Sequence, residues 1–145
     1  MEQATTKVPA WYWVVSIIFL LWNIMGVLSF FAHSFIPAEA MAALPENERA
    51  LYAEYPMWIY IVFALAVLFG LLGAVGLLIK KKWAKMAAII SFVAIIIQMT
   101  HNVFFTSSIE VYGTAQAVTM PIIVVVLGLL LILFTKNAVK KEWLK

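Results

Sequence analysis

Gln98, His101, Asn102 and Phe105 recur at i, i+3, i+4 and i+7, the spacing that gathers side chains on one side of a helix. A second stripe, Ser16, Asn23, Gly26, Phe30 and His33, has the same helical logic. Amides and neutral imidazoles donate and accept hydrogen bonds without a fixed charge. Beside aromatic rings, such groups fit a small neutral ligand rich in hydroxyls or amides. The candidate ligand-binding residues are therefore Asn23, Gln98, His101 and Asn102, with His33 and Glu54 nearer the mouth of the site. The same amides have a structural use, because hydrogen bonds between membrane helices contribute roughly 0.6–2 kcal/mol each.

More demanding chemistries find less support. A metal site would need His33 and His101 to meet and Glu54 or Glu110 to complete the shell, and the chain has no HxxxH or HExxH motif. A histidine can sense pH near its ordinary pKa of about 6.5. A membrane enzyme acting on a lipid or quinone would use His101 with Glu54 or Glu110 as acid and base, but no paired carboxylates or nucleophile accompany them. The chain has no cysteine and no aspartate, which excludes its own disulfides, thiolate catalysis, Cys-held metals and Asp-held magnesium. The residues call for no catalytic group, metal or cofactor.

The elements that position these residues are four apolar stretches, Trp11–Ala32, Met57–Ile79, Ala84–Phe105 and Val118–Thr135. Each is long enough to cross a hydrocarbon core of about 30 Å as a helix. The 145 residues are 66% hydrophobic and 12% charged, too apolar for a soluble domain, where roughly a quarter of residues are charged. The connections are too short for a second core, so residues 1–145 are expected to form one membrane domain. Its fold class is all-α, an antiparallel bundle of four transmembrane helices.

Nine lysines, Lys7, Lys80, Lys81, Lys82, Lys85, Lys136, Lys140, Lys141 and Lys145, fall at one set of span ends, and only Arg49 at the other. This is the positive-inside pattern, and it places both termini in the cytoplasm. It also explains the net charge of +3 without a nucleic-acid partner, since the lysines flank spans instead of forming one basic face. The first span exceeds the 7–15 apolar residues of a signal peptide, so it is expected to be retained. Trp11, Tyr12 and Trp13 fit the interfacial aromatic belt.

The external loop 33–56 predicts one short helix over 45–54, started by Pro45 and the acids behind it and stopped before Pro56. Leu44, Leu51 and Tyr55 share a face that would lie on the membrane or over a pocket mouth. Span two carries Ala66, Gly70, Gly73, Ala74 and Gly76, a row of small residues that allows close helix packing. It could meet a helix of this chain, a second copy or a membrane-protein partner. The tail 136–145 predicts a short interfacial helix anchored by Trp143 and Leu144. Between the midplane and the lysines the polar candidates are only Ser16, Ser91 and Thr135, so no polar path marks a route to the cytoplasm. Lys81-Lys82-Trp83 and Lys140-Lys141-Glu142-Trp143 echo each other, as do Phe30-Phe31 and Phe104-Phe105, the weak mark of a parallel repeat.

Trp22-Asn23-Ile24-Met25-Gly26, Gln98-Met99-Thr100-His101-Asn102 and the turn Met41-Ala42-Ala43-Leu44-Pro45-Glu46 resemble a group of small four-span bacterial inner-membrane proteins often catalogued as "sugar transporter". The architecture is also similar to the DoxX-like membrane proteins. The resemblance implies a four-helix bundle in a bacterial inner membrane and a role in transport. The residues themselves also admit an interaction subunit of a membrane complex, in which the polar groups are structural.

Overall fold

The computed structural model describes residues 7–145, and every regular element among them is a helix. In chain order these are α1 (Ala10–Ser34), α2 (Ala38–Ala43), α3 (Glu46–Ala53), α4 (Met57–Leu78), α5 (Trp83–Phe104), α6 (Ser108–Tyr112) and α7 (Thr114–Lys140). Helices α1, α4, α5 and α7 are long and apolar enough to cross a membrane.

Proline sets four of the helix starts. Pro9, Pro37, Pro45 and Pro56 are the N-caps of α1, α2, α3 and α4. Each carbonyl accepts the first helical hydrogen bond, from Tyr12, Met41, Arg49 and Ile59 respectively. The ring's fixed φ and missing N–H cost little there, where an N–H would have no helical partner. The loop therefore holds two helices, not the one expected over 45–54, and Pro37 was the overlooked start signal for α2. At the other loop, Gly113 ends α6 and begins α7 with φ +83°, a backbone region natural to glycine. Helix α7 runs from Thr114 to Lys140, well beyond the expected Val118–Thr135. Its polar end turns are helical without being apolar, and Pro121 lies inside it, leaving the Ala117 carbonyl without the usual i+4 donor.

The two helices that finish among the lysines end alike. After α4, the Lys80 N–H bonds Leu77 O and the Lys81 N–H bonds Gly76 O. After α7, the Glu142 N–H bonds Val139 O and the Trp143 N–H bonds Ala138 O. Both are Schellman closures, with Lys80 and Glu142 at positive φ. The stop is shared but the echoed letters are out of register: Lys80 precedes Lys81-Lys82-Trp83, whereas Glu142 lies within Lys140-Lys141-Glu142-Trp143. The second closure also corrects the expected interfacial tail. Trp143 and Leu144 do not anchor in a headgroup layer; they turn back and are buried in the bundle core. Backbone bonds Lys82 N to Lys145 O (2.9 Å) and Lys145 N to Lys80 O (2.8 Å) hold the returning chain against the α4–α5 turn.

Packing follows the series α1–α4–α5–α7. The α4–α5 seam is made of small residues: Gly73 lies against the Ala84 and Ala88 backbones, and Gly76 against Ala84. Ser91 Oγ donates to the Ala66 carbonyl at 2.6 Å across this seam. Gly70 leaves room for the Asn23 amide of α1, which a Cβ at that position would strike. Ala66, Gly70, Gly73, Ala74 and Gly76 are all buried, and the atoms that face their glycines belong to this same chain.

At the lysine end the bundle is closed by rings. Tyr12, fully buried, donates its hydroxyl to Leu77 O at 2.6 Å. Its ring lies 5.5 Å from both Phe134 and Trp143, and Phe19 adds to the cluster at 5.9 Å from Phe134. Tyr12 is therefore a core residue and not part of an interfacial belt, whereas its neighbours Trp11 and Trp13 stay partly exposed.

Candidate functional site

Toward the loop end the four long helices line a cavity of about 360 Å³. Helix α1 contributes Trp22, Asn23, Met25, Gly26, Ser29 and His33. Helix α4 contributes Phe63, Ala66 and Val67, and α5 contributes Ile95, Gln98, Met99 and Asn102. Met120 and Val124 of α7 and Tyr55 of the loop complete the wall. The lining contains no Asp, Glu, Lys or Arg. Its volume falls at the lower end of the roughly 300–1,000 Å³ of small-molecule sites.

Two helices, α1 and α5, present polar groups to this space. Asn23 donates its Nδ2 to Phe19 O of its own helix at 2.7 Å, which orients the amide and directs Oδ1 toward Gly70. Gln98 is only 5% exposed, yet its side-chain amide makes no hydrogen bond with the described residues. One turn on, Asn102 interacts with the neighbouring His101 ring, but its Oδ1 has no partner of hydrogen-bond geometry. A buried polar atom left unpaired, such as Asn102 Oδ1, costs roughly 1–3 kcal/mol, so this cavity is not a fully satisfied polar interface. It offers donors and acceptors that a ligand or water would complete.

His33 sits where the cavity meets the loops. Its ring stacks on Tyr52 at 4.5 Å and has Tyr55 at 4.9 Å, Tyr60 at 5.7 Å and Phe63 at 6.2 Å. Its Nε2 is buried without a hydrogen-bond partner. Tyr52 belongs to α3, so this helix does cover the mouth. Burial, reinforced by the neighbouring tyrosines and Glu54, pushes the Tyr55 phenol up to about 12, so it remains a donor at any physiological pH.

His101 and Glu54 lie elsewhere. They line a second, more open groove with Trp58, Thr100 and Phe105 between the start of α4 and the side of α5. The shared face expected for α5 is thus split. Successive helical residues are about 100° apart, so His101 and Asn102 diverge although both are near Gln98 in projection. Gln98 and Asn102 line the cavity, whereas His101, buried against Tyr55 and Trp58, and Phe105 line the second groove. Glu54 is committed to the loops: Oε2 accepts the Ser107 N–H at 2.8 Å and Oε1 accepts the Ser107 hydroxyl at 2.7 Å. That arrangement caps α6, which begins at Ser108. Among the described residues no three His, Cys, Asp or Glu side chains gather into a metal-holding group.

Sequence reasoning missed Ser29, Phe63 and the three methionines of the wall, whereas Tyr55 was expected on a face that could cover a pocket mouth. Ser29 was recoverable from the run Trp22, Gly26, Ser29 and His33 at i, i+4, i+7 and i+11. Met120 and Val124 had no signal, because only the position of α7 brings them here. No protein-family profile, curated protein or solved structure matches the chain.

Proposed function

We propose that this chain is a multi-pass membrane protein that binds a small neutral polar molecule in an outward-facing pocket, as a transporter or as a binding protein. In this reading the four long helices form an antiparallel bundle in a bacterial inner membrane. The lysine end faces the cytoplasm, as the positive-inside rule requires. The contact of the start of α1 with the end of α4, through Tyr12 and Leu77, supports the antiparallel order. The observation that carries the reading is Gln98: a 5%-exposed amide without a protein partner, facing a charge-free cavity beside Asn23 and Asn102. Fixed charge in the wall would select ions; amides, a serine hydroxyl and rings select hydroxyls and amides. The aromatic closure at the lysine end fits an outward-open state in this reading.

The test is thermal unfolding of the purified chain against a panel of uncharged sugars, polyols and amides. A ligand specific to the folded state stabilises it by about 2.7 kcal/mol at one hundred times its dissociation constant. The expected outcome is a saturable rise in Tm with at least one compound, abolished in Gln98→Leu/Asn102→Leu. A flat response across the panel, or one that the double variant leaves intact, overturns the assignment.

A further inference from the structure

The cavity has three packed walls and one open one. Helices α1 and α4, α4 and α5, and α5 and α7 pack along their lengths, but α1 and α7 barely approach each other. Among the described residues the ring contacts that join α1 to α7 all involve Phe134, and all lie at the lysine end, from Trp11, Tyr12 and Phe19. Beyond Phe19 the two helices leave a cleft. Its edges are Met25, 60% exposed, and Met120, 56% exposed, and both also line the cavity. The flanking helices are the least covered in the bundle: 11% and 6% of the most apolar windows of α1 and α7 are buried, against 33% and 39% for α4 and α5. A gap between two such helices faces hydrocarbon, not water.

Resting on the reading of this cavity as a ligand site, we infer that its ligand is a single-chain amphiphile with an uncharged, hydroxyl- or amide-bearing head, taken up sideways from the outer leaflet. The head occupies the amide end of the cavity, at Asn23, Gln98 and Asn102. The chain leaves between Met25 and Met120. Three observations converge on this class. The unpaired Asn102 Oδ1, beside the Gln98 and Asn23 amides, calls for a polar head. A lining without Asp, Glu, Lys or Arg selects against a charged one. The methionine edges, flexible and polarizable, accommodate an alkyl chain without fixing its length. The volume agrees: a cavity of about 360 Å³, at the lower end of small-molecule sites, has room for a head group, with one chain leaving through the cleft.

The experiment uses the full chain in phosphatidylcholine vesicles with a monoacylglycerol probe carrying a mid-chain diazirine. After photolysis, adducts are mapped by peptide mass spectrometry. The expected adducts concentrate on Met25, Met120 and Val124. Excess unlabelled monoacylglycerol competes them away, and neither glycerol nor lysophosphatidylglycerol does. Met25→Trp/Met120→Trp, which fills the cleft at exposed positions, lowers the labelling at least tenfold.

Adducts spread evenly over the exposed faces of α1 and α7, without competition, mean ordinary lipid contact and overturn the inference. So does a protein found seated on Met25 and Met120, which would make the cleft a partner's site. If a water-soluble polyol or sugar stabilises the chain and does so equally in the double-Trp variant, the sideways route falls and the polar site stands. If Gln98→Leu changes neither soluble-ligand nor amphiphile binding, the site itself falls.

Discussion

The two halves of the bundle solve the same problem in opposite ways. At the lysine end most buried polar groups find partners, the Ser16 hydroxyl excepted. Small residues let α4 and α5 touch backbones, Tyr12 finds Leu77 O, Ser91 finds Ala66 O, and Thr135 finds Ile132 O. Rings of Tyr12, Phe19, Phe134 and Trp143 fill what remains. Toward the loop end a cavity remains, with unpaired polar atoms of Asn102 and His33 around Gln98, an amide that is 5% exposed. The close packing lies in the first region and the cavity in the second.

Substitutions separate the two regions by the size and kind of their effect. The largest loss is expected from Trp143→Ala, which empties a 6%-exposed ring site at the lysine end. It should lower unfolding stability by about 3–5 kcal/mol in denaturant titrations in detergent. A loss under about 1 kcal/mol would show that the returning tail is not part of the core.

Gly76→Val comes next. Its Cβ would lie 2.7 Å from the Ala84 Cβ and 3.1 Å from the Ala84 Cα, and backbone cannot yield as a side chain does. About 1–3 kcal/mol of destabilisation is expected from such overpacking, with a lower Tm and no change in ligand affinity per folded molecule. Gly70→Ala provides the contrast, because there the added methyl meets the Asn23 side chain, which can rotate. Tm should move less and ligand affinity more. Equal effects of the two on both measures would erase the division between the halves.

The smallest effect on stability, and the most diagnostic, belongs to Gln98→Leu. Removing an unpaired amide from a buried site is expected to leave stability within about 1 kcal/mol of the parent, or to raise it, while ligand stabilisation is lost. A large drop in Tm without ligand would mean that Gln98 holds the bundle together, and would turn the cavity back into a packed polar interface.

Much of the fold was legible because lipid solvent leaves few options: a long apolar run must be a helix. The expected Met57–Ile79 and Ala84–Phe105 correspond to α4 (Met57–Leu78) and α5 (Trp83–Phe104). Where hydropathy was used to mark an end it fell short, as at α7, since a helix continues past its apolar stretch whenever its next residues are good helix formers. The site was half legible. Composition told that Asn23, Gln98 and Asn102 are unusual within apolar spans, but a helical stripe about 100° wide does not say where a neighbour's groove divides it. His101 was assigned with Gln98 on spacing, and the neighbouring helices separated them.

What this amino-acid sequence determined alone was local: four helices long and apolar enough to cross a membrane, the lysine asymmetry of their ends, and the few polar residues within them. Those properties depend on composition and near-neighbour spacing along one chain. Only the tertiary structure decided that the small-residue row is filled by α5 and α1, that Trp143 and Leu144 return to the core, and that α1 and α7 meet at one end and part at the other. Each of these depends on which surfaces are left after all the others have paired, a choice among distant segments that no single stretch of sequence contains.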